Sequence, residues 1–149
     1  MIRETLKPTG KLNIVLRDKD GNVKDERNVD NLVVTTGLNY IAARMTDTGI
    51  PTDMSHMAVG SGSTAAALGD TTLGTELGRV ALTGAEGAPS GNDIVYTATF
   101  AAGTGTGALQ EAGVFNAGAA GTMLCRTTFS TVNKGADDSV TITWTVTIS

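Results

Sequence analysis

The sequence predicts an all-β protein: a β-sandwich or jelly-roll-like module with one short early helix and an extended N-terminal arm. Three observations carry that reading. Threonine, glycine and alanine number 24, 19 and 18 of 149 residues, a mix that favours strands and tight turns over long helices. The C-terminal segment alternates strictly, with Val140, Ile142, Trp144, Val146 and Ile148 on one face and Thr141, Thr143, Thr145 and Thr147 on the other. About eight short extended runs separated by turn signals suit a two-layered sheet.

The first 30 residues differ in chemistry from the rest. They hold seven Lys/Arg and six Asp/Glu, whereas the other 119 hold four and nine. Met1 to Gly10 reads as an extended arm stiffened by Pro8. Leu12, Ile14 and Leu16 then alternate with Asn13, Val15 and Arg17, and Asp20-Gly21-Asn22 turns the chain before Val23 restarts an extended run. The chain therefore divides into a charged arm and β-hairpin, residues 1–30, and a β-sandwich body, residues 31–149. Ile2, Arg3, Leu6, Lys7, Arg17, Lys19, Lys24 and Arg27 are the candidate interface residues of the reaching part. The plainer alternative is a first strand pair with a frayed terminus.

Helical spacing occurs clearly once, from Thr36 to about Met45, where Leu38, Ile41, Ala42 and Met45 share a face. Thr35 or Thr36 supplies an N-cap, and Pro51 blocks continuation. A short strand over Met54–Val59 leads into the loop Gly60-Ser61-Gly62-Ser63-Thr64. Leu68 to Arg79 is ambiguous between a helical turn and irregular structure. From Arg79 onward the pattern is β: Ile94, Tyr96, Ala98 and Phe100 share one face, and Met123, Cys125, Thr127 and Phe129 share another. Asn133 to Asp138 reads as a polar hairpin connection. The predicted core comprises Leu38, Ile41, Tyr96, Phe100, Ile142, Trp144 and Val146. The threonine ladder beside it faces either water or a pairing partner.

Composition narrows function. A net charge of −4 and a pI near 4.8 argue against a phosphate-tracking groove and hence against nucleic acid. One cysteine makes no intrachain disulfide, and the absence of a signal sequence or long apolar run predicts a protein made in the cytoplasm with no membrane partner. The Gly60–Thr64 loop lacks the Gly-Lys-Ser/Thr ending of a phosphate loop. His56 is the sole histidine, which leaves no second imidazole for a metal site or a conventional triad. Asp137 and Asp138 point apart as neighbours, and Asp47, Asp53, Asp70 and Asp93 lack the density of a calcium loop. No catalytic residue, metal ligand or cofactor is predicted. Arg79 and Arg126 interrupt apolar stretches and need buried partners, for which Glu76 and Glu111 are the candidates.

Several segments taken in order resemble small virion structural proteins of tailed bacteriophages. They are Asn31–Leu38, Ala58–Gly62, Thr72–Arg79, Glu111–Asn116, Val132–Gly135 and Thr141–Val146. The resemblance is strongest to capsid decoration (cement) proteins, and similar modules occur in tail and fibre components. It implies a homotrimer or other small oligomer, seated on the outer surface of the head and bound to the major capsid protein. No catalytic motif comes with it.

Overall fold

The computed structural model describes residues 5–87 and 91–149, so Ile2 and Arg3 lie outside the described residues. Nine strands and one helix follow in the order β1 (Pro8–Arg17), β2 (Val23–Val33), α1 (Thr35–Ala43), β3 (His56–Gly60), β4 (Glu76–Ala81), β5 (Gly84–Gly87), β6 (Asp93–Phe100), β7 (Gly107–Phe115), β8 (Met123–Lys134) and β9 (Ser139–Ile148). The all-β expectation holds. The strands form one antiparallel sheet in the order β4-β3-β7-β8-β2-β1-β9-β6-β5, curled until β4 approaches β6. The result is a nearly closed barrel with β5 outside the closure, and its two halves face each other as the layers of a sandwich do.

Period-two patterning explains the packing. Leu12, Ile14 and Leu16 of β1, Tyr96, Ala98 and Phe100 of β6, and Val140, Ile142, Trp144 and Val146 of β9 point inward and are buried. Trp144 has no exposed surface and lies in register between Leu12 and Tyr96. Met57 and Val59 of β3 and Ala112 and Val114 of β7 complete the interior from the opposite side. A second, smaller core of Val34, Ala58, Leu73, Phe115 and Met123 lies on the other side of β3 and β7, beneath the irregular segment 61–75.

The division expected at residue 30 is corrected. β2 runs through it, and β1 is laddered on both edges, to β2 and to β9. The end of the expected arm is strand as well: Pro8, Thr9 and Gly10 pair with Ile148, Thr147 and Val146, while Lys7 and Ser149 exchange backbone hydrogen bonds of 2.7 and 3.1 Å. The charges misled because they occupy the outer side of an amphipathic strand whose inner side is Leu12, Ile14 and Leu16. The hairpin turn forms as expected: Asp18 Oδ1 accepts the N–H groups of Asp20 and Asn22, both at 2.9 Å, and Gly21 takes φ 86°.

The helix is present but rotated from the expected face. Leu38 is 41% exposed and Met45 81%, so Leu38 is not a core residue; Gly37 is buried, and Tyr40 and Ile41 pack against the core. The cause is Gly37, where a Cβ would stand 2.0 Å from the carbonyl oxygen of Leu124, so only glycine lets the helix backbone rest on β8. The N-cap is Val34, without a side-chain bond, and Thr36 instead donates its hydroxyl to Met123 O at 2.8 Å. Gly37→Ala is expected to lower stability by roughly 1–3 kcal/mol through overpacking. Urea midpoints of the two proteins check this.

Candidate functional site

The densest polar arrangement is a buried ionic clamp on the outer side of β7 and β8. Glu111 is fully buried and Arg126 is 3% exposed. Arg126 Nη2 donates to Glu111 Oε2 at 2.8 Å and its Nε to the same oxygen at 3.2 Å. Its Nη1 reaches Asp70 Oδ2 at 2.8 Å, and Nη2 also donates to Thr64 O at 3.0 Å. Glu111 accepts three backbone N–H groups besides: Gly62 and Thr75 on Oε1 at 2.9 and 2.7 Å, and Gly74 on Oε2 at 2.8 Å. Burial alone raises a carboxyl pKa, but here the three N–H groups and the guanidinium outweigh it and hold Glu111 below the ordinary range. Burial likewise opposes the charge on Arg126, and its two carboxylates overcome it, raising its pKa.

The glycine loop after β3 thus gives one N–H, that of Gly62, to an anion, which is the chain's own carboxylate, and Gly74 and Thr75 supply the other two. A Cβ on Gly60 would lie 2.6 Å from Glu111 Oε1 and 2.2 Å from Thr75 O, and one on Gly62 2.6 Å from Glu111 Oε1. Glycine is required at these positions for the backbone to close around Glu111. The composition of the loop signalled close backbone approach; its partner was not readable from the loop.

The second expected pair also forms. Arg79 Nη2 donates to Glu76 Oε1 at 2.7 Å, and Nη1 donates to Ala117 O and Ala120 O at 3.0 and 2.9 Å. The guanidinium lies 3.8 Å from the centroid of the Phe115 ring. Arg79 thereby pins the β7–β8 connection, where Ala120 and Gly121 both have positive φ. Both arginines organise loops.

The candidate interface charges divide. Lys24 pairs with Asp138 at 2.9 Å, and Arg27 pairs with Asp25 while donating to Ser130 and Thr131 across the β2–β8 seam. That seam is laddered only at Leu32 and Val33, so Arg27 substitutes for missing strand pairing. These two residues are internal braces. Arg17 ends β1, Lys19 is exposed in the hairpin turn, and Leu6 and Lys7 are exposed at the start of the described chain.

Two surface features remain. Leu6, Leu38, Met45 and Leu68 expose 66, 41, 81 and 55% of their surface. Grooves of about 690 and 160 Å³ adjoin there, sharing Leu6, Pro8 and Leu38. On the outer face of β1, β2 and β9, a polar groove of about 390 Å³ is lined by Lys11, Asn13, Asn28, Asp30, Thr143 and Thr145. The threonine ladder is half-buried, with Thr141 bonded to Thr99 and Thr147 to Asp93.

The remaining reactive groups are quiet. Cys125 is buried, and desolvation pushes its thiol pKa far up, so it is not a thiolate near neutrality. His56 bonds through Nδ1 to Ser55 Oγ at 2.8 Å. No group of three or more His, Cys, Asp or Glu placed to hold a metal occurs among the described residues. No helix among the described residues is long and apolar enough to cross a membrane. No known protein family matches the sequence, and it matches no curated protein and no solved structure.

Proposed function

We propose that this chain is a non-enzymatic assembly module: a virion structural protein, most like a capsid decoration protein that binds the major capsid shell and stabilises it by linking subunits. The observation that carries this is the patch around Leu6, Leu38, Met45 and Leu68, four large apolar side chains exposed around adjoining grooves. Exposed apolar patches of this kind mark protein–protein contact. The use of Glu111, Arg126, Arg79, Lys24 and Arg27 as internal braces supports a rigid part. Copies of the chain associate with one another, and many modest contacts to the shell add multivalently.

A tail, baseplate or fibre role with glycan recognition is the second reading. It is favoured by the polar groove, where amide, hydroxyl and charged groups from three strands converge. Sedimentation velocity separates the patch from the groove. The wild type is expected to form a small oligomer and Leu38→Glu a folded monomer; a wild type that stays monomeric at high concentration and gives strong glycan-array signal would favour the second reading.

A further inference from the structure

We infer that residues 61–75 form a strap that releases from the outer face of the sheet as one unit while the barrel stays folded. This inference goes beyond the assembly reading and does not rest on it. The strap contains no strand, and Leu73 is its only buried apolar side chain. Its exposed residues include Thr64, Ala65, Leu68 and Thr72. It is held where Glu111 gathers the N–H groups of Gly62, Gly74 and Thr75, and where Arg126 holds Thr64 and Asp70. Beyond that clamp, Thr35 N–H donates to Leu68 O at 2.9 Å and Gln110 Nε2 to Ser61 O at 3.3 Å. Its base is closed by Ser61 N–H donating to Thr75 O at 2.9 Å, which continues the β3–β4 hairpin.

The barrel is built differently. β1 and β9 are each laddered on both edges and share the main core, none of which depends on the strap. Segments with few buried apolar contacts open locally at lower free energy than the laddered core. Lifting the strap uncovers Val34, Ala58, Phe115 and Met123, an apolar floor beside the exposed Leu38. Release is promoted by acid. Two charged groups face the Glu111 carboxylate, Arg126 from β8 and Asp70 from the strap through Arg126; β3 brings glycine, and Glu76 and Arg79 of β4 are paired together. Protonating Glu111 removes its negative charge and occupies one of its lone pairs, weakening the acceptor on which three strap N–H groups converge.

Native-state hydrogen exchange of the wild-type protein in sub-denaturing urea tests this. The amides of Gly62, Gly74 and Thr75 are expected to share one opening with little urea dependence, exchanging at least about ten-fold faster than those of β1 and β9. Glu111→Gln is expected to accelerate the strap amides by a further ten-fold or so, with their opening still faster and less urea-dependent than that of the barrel amides. Strap and barrel amides that exchange together through one urea-dependent opening would overturn the inference. So would a Glu111→Gln protein whose strap amides exchange no faster than those of the wild type. If that variant does not fold, the wild-type comparison alone decides.

Discussion

Glu111→Ala is expected to lower the free energy of unfolding at neutral pH by about 3 kcal/mol, measured by urea denaturation. Removing one partner of a buried ion pair leaves the other charged and unpaired, which costs about 3–5 kcal/mol. Here Arg126 would keep Asp70 and Thr64 O, and three backbone N–H groups would lose their acceptor. The loss falls at the low end because Arg126 keeps its pair with Asp70. The same group sets an acid limb. Its folded pKa lies below the usual value of 4.5, so the stabilisation is complete above that value and disappears as pH falls through the folded one. Glu111→Gln is expected to lose that limb. A stability that responds to acid identically in the two proteins would show that Glu111 is not its source.

Trp144→Ala is expected to cost about 3–5 kcal/mol, the range for truncating a large buried aromatic side chain. Trp144 heads the fully buried side chains by volume, and its neighbours Leu12 and Tyr96 sit on laddered strands that cannot collapse into the space. Its neighbour Thr143 faces the outer groove, and Thr143→Ala is expected to stay within about 0.5 kcal/mol. Thermal and urea unfolding of the pair measure the contrast. Similar losses at the two positions would contradict the inward and outward assignment of β9.

Much of the sheet was legible because period-two alternation is a local signal. β9, the β1–β2 hairpin and the inward face of β6 follow from it directly. The two ion pairs were legible for a different reason: an arginine in an apolar stretch demands a carboxylate, and few carboxylates were available. The misreadings share a cause. β1 looks peripheral because Lys11, Asn13 and Arg17 are polar, yet strand order places it inside the sheet, between β2 and β9. Leu38 looks like core because helical spacing fixes a face and not its direction, which Gly37 decides through contact with β8. The clamp was half visible: Glu111 and Arg126 lie 15 residues apart, but the N–H groups of the strap lie 36 to 49 residues from Glu111 and carry no side-chain signature.

If the chain has the proposed virion role, it works by seating on other protein chains, and the direct measurement is its stoichiometry in purified particles of the tailed phage that this proposal assigns it to. Quantitative mass spectrometry is expected to find it in numbers comparable to the major capsid subunit, with Leu38→Glu lowering that occupancy. A copy number far below that of the shell would move it to the tail. Its absence from the particles would contradict the account.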